Sequence, residues 1–122
     1  MFEVSIDHTF AAGHALRNYK GKCENTHGHN YKVRVTVEGE SLDSTGLLVD
    51  FVDLRRAVGQ IVERLDHQFL NELQPFDQLN PSAENIARYF SDELEPQVNQ
   101  NGARIQSVTV WETDTSFATY RP

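Results

Sequence analysis

The chain has 122 residues, of which 39% are hydrophobic, and a formal net charge of −7. That length suits one domain over residues 1–122, with a single core, and is too short for two ordinary domains. The negative balance repels a phosphate backbone and argues against general nucleic-acid binding.

No apolar run approaches the roughly 20 residues of a membrane span. The opening MFEVSIDHTF alternates and carries charge, unlike a signal peptide. The single cysteine, Cys23, allows no intrachain disulfide and suits a reducing compartment, so a cytoplasmic location is expected. A chain this small that carries an active site often builds part of it between subunits, which points to an oligomer.

Taken in chain order, residues 2–10 place Phe2, Val4, Ile6, His8 and Phe10 on one side and Glu3, Ser5, Asp7 and Thr9 on the other, the pattern of a half-buried strand. His8 is in phase with the apolar row and reads as a core or interface histidine. Gly13 then suggests a bulge or turn. Residues 31–38 alternate again, with Tyr31, Val33, Val35 and Val37 on the apolar side. DFVDLRRAVGQIVERL predicts a helix over 50–65, with Asp50 as N-cap and Phe51, Leu54, Val58, Ile61, Val62 and Leu65 facing inward. PSAENIARYFSDELE predicts a second helix over 81–95, started by Pro81 or Ser82 and ended by Pro96. Strands follow at 104–113 and in SFATYRP. The order ββααββ favours an α+β fold, a four-stranded antiparallel sheet with both helices on one face and edge strands open to a neighbouring subunit.

The chemistry gathers in GKCENTHGHNY, residues 21–31. His27 and His29 lie two residues apart at the entry to a strand, so their side chains share a face. Antiparallel pairing of 2–14 with 27–38 brings His14 close to them. Three histidines and one open position make the arrangement of a catalytic Zn²⁺, although Fe and Ni also accept three imidazoles and His14 could be an ordinary loop residue. Cys23 has two chemical readings, a fourth ligand closing a structural site or a thiol acid/base whose pKa a nearby cation lowers. An inert buried thiol fits its polar flanks poorly. Asp66 beside His67 can orient that histidine, or the pair can simply suit a helix C-terminus. Glu112 shares parity with Val108 and Val110, so it either turns outward or meets a partner, an arginine or a ligand with paired N–H donors. Thr113 beside it adds a hydroxyl.

The segments FAAGHAL, CENTHGHNY, GLLVDFVDLR, LDHQFLN, NPSAENIA and VWET together resemble the 6-pyruvoyl-tetrahydropterin synthase family nearly end to end. The resemblance implies the tunnelling fold (T-fold) and a homohexamer, a dimer of trimers with sites between subunits. It implies zinc ligands at His14, His27 and His29, a catalytic Cys23 that is not a ligand, and an Asp66–His67 pair. It also implies a pterin-anchoring Glu112. The family's P-T-x-E segment appears as Pro81-Ser82-Ala83-Glu84, with serine in place of threonine. The branch it is most similar to converts 7,8-dihydroneopterin triphosphate to 6-carboxytetrahydropterin in queuosine biosynthesis. Arg17, Lys20 and Lys22 would meet the triphosphate electrostatically.

Other branches keep the side chain as a pyruvoyl group or make a hydroxymethylpterin for folate. Glu24, in the pattern C-E-x-x-H-G-H, is similar to members thought to do both. A binding module without turnover would need none of Cys23, Asp66 and His67. A zinc hydrolase would want a carboxylate motif such as H-E-x-x-H, which this chain lacks.

Overall fold

The computed structural model describes residues 1–19, 21 and 24–122. Lys20, Lys22 and Cys23 lie outside the described residues. Among the described residues five strands and two α-helices follow one another as β1 (Phe2–His14), β2 (His27–Gly39), α1 (Phe51–Leu65), β3 (Gln68–Phe69), α2 (Ala83–Val98), β4 (Arg104–Thr113) and β5 (Ser116–Tyr120), with a 3-10 turn at Leu70–Glu72 after β3. The sheet order is β3-β1-β2-β4-β5.

The expected four antiparallel strands are present, β1 with β2, β2 with β4 and β4 with β5. The sheet nevertheless has a fifth strand and is mixed, because β3 runs parallel to β1 through Ala12↔Gln68 and Gly13↔Phe69. A two-residue strand carries no alternation, so nothing in the segment after the predicted helix marks it as one. The physical cause is local. Asp66 leaves the helix in an extended conformation, and His67 takes φ 58°, which turns the chain onto the free edge of β1.

Both long strands extend beyond the alternating segments. β1 runs through Gly13, and β2 starts at His27 rather than at 31, so His14 and His27 become directly opposed. Inward positions Ile6, Phe10, Tyr31, Val33, Val35, Val108 and Val110 form one face of a core that the helices cover. α1 packs against β1, and α2 against β4 and β5.

Asp50 caps α1, its carboxylate accepting the Val52 N–H at 2.8 Å. Leu54, Val58, Ile61, Val62 and Leu65 are buried as expected, whereas Phe51, the first residue of α1, is exposed. Ile86, Phe90 and Leu94 supply the inner face of α2. Each such fully buried side chain contributes about 1.5–3 kcal/mol of transfer free energy. Ser82 is the N-cap of α2. Pro96 does not end this helix but sits inside its last turn, where one missing N–H is tolerated and the Asn99 N–H still reaches Glu95 O at 2.9 Å.

The opposite face of the sheet is polar, with Arg34 bonded to Asp7 at 2.7 Å and Lys32 lying 4.1 Å from the Trp111 ring centre. No described helix is long and apolar enough to cross a membrane.

Candidate functional site

The β1–β2 register decides where the histidines go. His14 pairs with His27 and Ala12 with His29, so all three imidazoles project from neighbouring positions on the helix-covered face. One ligand nitrogen from each lies within 4.8 Å of the others. The rings meet edge to face, with centroids 4.5 Å apart for His14 and His27, 4.9 Å for His14 and His29, and 4.8 Å for His27 and His29.

Hydrogen bonding settles which nitrogens face the centre. His14 Nδ1 lies 2.7 Å from Pro81 O, and His27 Nδ1 lies 2.7 Å from Asn25 O. A carbonyl oxygen can only accept, so each Nδ1 carries the proton and each neutral ring has its lone pair on Nε2. The two Nε2 atoms then face each other at 2.9 Å. Two lone pairs at that distance repel unless a cation lies between them. His29 Nε2 is buried and has no hydrogen-bond partner among the described residues. The basic Nε2 atoms of His14 and His27 therefore converge with the unpartnered His29 Nε2, and among the described residues no proton donor satisfies them, a costly arrangement for a closed pocket and a fitting one for a metal ion. About 3.3 Å separates ligand nitrogens around a tetrahedral ion with bonds near 2.0 Å, so small ring shifts suffice to close on one.

Burial pushes the His14 and His29 imidazoles below their ordinary range, which favours the neutral, ligating form. His14 is 1% exposed. Tyr31, fully buried beneath the rings, has its hydroxyl 3.1 Å from His14 Nδ1, and burial pushes its phenol pKa up.

Glu112 belongs to the same cluster. The β4–β5 register slips by one residue between Trp111 and Thr113, which makes Glu112 the extra residue of a bulge. Its carboxylate turns inward, 3.8 Å from His14 Nε2, and remains 29% exposed. That resolves the two sequence readings of Glu112 in favour of the inner face, with one side open to a ligand. Thr113 is exposed, and its Oγ1 accepts the Thr115 N–H at 3.3 Å in the turn.

The Asp66–His67 pair is built elsewhere. Asp66 Oδ1 accepts the Ala11 N–H at 2.9 Å, and Oδ2 lies 3.0 Å from His67 Nδ1. The Ala11 N–H, and after it His67, hold the Asp66 carboxyl below the usual carboxylate range. His67 is 80% exposed, and its left-handed backbone is an uncommon conformation for a non-glycine residue, of the kind concentrated at functional sites. Among the described residues no hydrogen bond or ion pair joins this pair to the triad, yet His29 and His67 border one open depression over the backbone of β1 and β2.

Ser82 Oγ accepts the Asn85 N–H at 3.2 Å, so its oxygen is engaged in capping while its proton stays free to donate. Glu84 lies exposed in the first turn of α2. Arg17 differs from its electrostatic expectation. Its guanidinium Nη2 donates to Phe76 O at 2.8 Å and Asn71 O at 3.3 Å, so it fastens a loop rather than reaching outward. Tyr31 and the Pro81 carbonyl carry no sequence signal for their place in the site. Tyr31 reads as one more apolar strand position, and a backbone carbonyl has no residue type.

Residues 3–122 match the family described as 6-pyruvoyl tetrahydropterin synthase. The chain is 32% identical to the 6-carboxy-5,6,7,8-tetrahydropterin synthase of Haemophilus influenzae, over 99% of each protein. It is 37% identical to the 6-pyruvoyl tetrahydrobiopterin synthase of Homo sapiens, over 98% of this chain and 90% of that one. The solved structure of Caenorhabditis elegans 6-pyruvoyl tetrahydropterin synthase superposes with a TM-score of 0.82 at 29% identity, covering 100% of this chain and 97% of that one.

Proposed function

The chain belongs to the 6-pyruvoyl tetrahydropterin synthase family, and from that premise we propose that it is a zinc-dependent lyase of queuosine biosynthesis. It takes 7,8-dihydroneopterin triphosphate and one water to 6-carboxy-5,6,7,8-tetrahydropterin, triphosphate and acetaldehyde. The observation that carries this reading is the convergence of the His14, His27 and His29 ligand nitrogens within 4.8 Å, with a half-open carboxylate beside them. The choice of product is supported by relatives named 6-carboxy-5,6,7,8-tetrahydropterin synthase at 32% and 34% identity.

Zn²⁺ would be held by His14, His27 and His29, and would supply Lewis acidity at the substrate's side-chain hydroxyls, making the protons on their carbons more acidic. Glu112 accepts the pterin 2-amino group and adjacent ring N–H together, which fixes the ring's orientation. Thr113, Ser82 and Glu84 add polar contacts around it. The Cys23 thiolate moves protons at C6 and on the side chain, and His67, aligned by Asp66, serves as the second acid/base. The depressed pKa of Asp66 keeps it anionic, so its carboxylate aligns the imidazole through the 3.0 Å contact with Nδ1.

The protein assembles as a homohexamer, a dimer of trimers in the cytoplasm, with sites completed between subunits. Two features support that assembly. The sheet is open, with edge strands β3 and β5 that no strand of this chain covers on their outer sides, and His67 points outward from the edge beside β1.

The test is a product assay. Zinc-loaded protein is incubated anaerobically with 7,8-dihydroneopterin triphosphate, and pterin mass and acetaldehyde are read together. A 6-carboxytetrahydropterin with stoichiometric acetaldehyde is expected. A pyruvoyl or hydroxymethyl pterin would overturn the choice of reaction, and the absence of any product with zinc bound would overturn the enzyme reading.

A further inference from the structure

The odd-numbered residues from Ala11 to Arg17 all turn their backbone groups toward the edge of β1 that faces away from β2. At Ala11 the N–H donates to Asp66 Oδ1 at 2.9 Å and the carbonyl accepts the His67 N–H at 2.6 Å. Gly13 pairs with β3. Beyond the strand the partners become side chains. The Ala15 N–H donates to Asn71 Oδ1 at 2.9 Å, and Asn71 Nδ2 donates to Ala15 O at 2.8 Å. The Arg17 N–H donates to Asn80 Oδ1 at 2.9 Å, and Asn80 Nδ2 donates to Arg17 O at 3.0 Å. A side-chain amide offers one acceptor and one donor in a plane, as a peptide group does, so each asparagine stands in for one rung of a neighbouring strand.

These rungs have a consequence for His14. Asn80 is followed directly by Pro81, whose carbonyl holds His14 Nδ1–H at 2.7 Å. Asn85 Nδ2 donates to Asn80 O at 2.9 Å, and the Arg17 guanidinium ties down Phe76 O and Asn71 O. The carbonyl that sets the tautomer of His14 is thus fixed to the same stretch of chain that His14 begins. We propose that Asn71 and Asn80 are positioning residues of the metal centre. Their paired amides extend β1 past its last rung and lock the Pro81 carbonyl, so that His14 presents Nε2 to the ion. This rests on the three-histidine metal reading. It goes beyond that reading by assigning the ligand's geometry to two asparagines that touch neither metal nor substrate.

The experiment compares the full-length protein with Asn80→Ala, Asn71→Ala and Asn80→Asp, each prepared metal-free. Zn²⁺ affinity is measured by competition with a chromophoric chelator, and Co²⁺ is added separately to record its d–d absorption. Asn80→Ala is expected to bind Zn²⁺ on the order of 10-fold more weakly, the lower end for outer partners of metal ligands, and to alter the Co²⁺ spectrum. Asn80→Asp keeps an acceptor for the Arg17 N–H but sets a carboxylate oxygen against Arg17 O, so it should weaken Zn²⁺ binding at least as much as Asn80→Ala. Should Asn80→Ala fail to fold, Asn71→Ala and Asn80→Asp carry the test. Unchanged Zn²⁺ affinity and an unchanged Co²⁺ spectrum, even with a lower Tm, would overturn the proposal and leave the amides as loop fasteners. If the unmodified protein binds neither ion, the metal reading itself fails, so the two failures are told apart.

Discussion

The histidine triad and the Asp66–His67 pair are both fastened to the Ala11–His14 end of β1, but they are finished to different degrees. In the triad, His14 is 1% exposed, two ring tautomers are fixed by carbonyls, and the free nitrogens already converge. In the pair, Asp66 is 38% exposed and anchored while His67 is 80% exposed and aims outward. One chain is enough to bring the three imidazoles together, because their geometry comes from strand register. The same chain leaves the Asp66–His67 pair exposed at the sheet edge, and under the proposed function that imidazole acts on a group outside the fold. Metal binding and proton transfer should therefore separate under mutation.

The largest expected effect comes from breaking the buried side. His27→Ala leaves two ligands, so the protein should lose stoichiometric zinc and roughly 10³-fold in turnover, the scale of a several-kcal/mol Lewis-acid contribution. Metal analysis and a rate assay check both, and retained stoichiometric zinc would remove His27 from the site. Breaking the exposed side should look different. With His67→Ala, zinc content stays unchanged while kcat falls about 10²-fold, the lower end of the usual contribution of a general acid or base. A loss of metal in that variant would mean that the two regions are not independent.

Glu112 sharpens the comparison, since it sits beside the triad at 3.8 Å yet is read as binding substrate and not metal. Glu112→Gln should keep zinc and lose about 10–100-fold in kcat/KM, mainly through KM, as expected for one charged bidentate contact. An unchanged KM would move the pterin anchor elsewhere.

The smallest effect is on stability. Burial depresses the pKa of His14 and His29, so the folded state binds fewer protons than the unfolded chain below the ordinary imidazole value of about 6.5. Stability then rises with pH through the window beneath that value and is lost as pH falls through it. The metal-free protein should unfold roughly a few degrees lower at about pH 5 than at about pH 7. A flat profile would mean that the rings are solvated.

The difference between the two regions also explains what could be read before the fold was known. Long alternation and helical spacing report burial, which is why β1, β2, α1 and the inner row Ile86, Phe90 and Leu94 were legible. The triad followed from period-two spacing and one antiparallel pairing. β3 was not legible, because two residues hold no period and its existence depends on the left-handed turn at His67. Asn71 and Asn80 were invisible for a related reason. A side-chain amide that replaces a strand rung looks like an ordinary loop asparagine. Pro96 misled because a proline ends a helix only where its missing N–H and ring cannot be accommodated, and the last turn of α2 accommodates them. The sign of Glu112 turned on a one-residue bulge, which shifts register without changing composition.

The most direct test of the account is X-ray absorption at the zinc edge of the loaded protein. Three imidazole nitrogens at about 2.0–2.1 Å, with any remaining position taken by oxygen and no sulfur, is the predicted first shell. A sulfur scatterer at about 2.3 Å would contradict it, making Cys23 a ligand of a closed site and removing it as the acid/base.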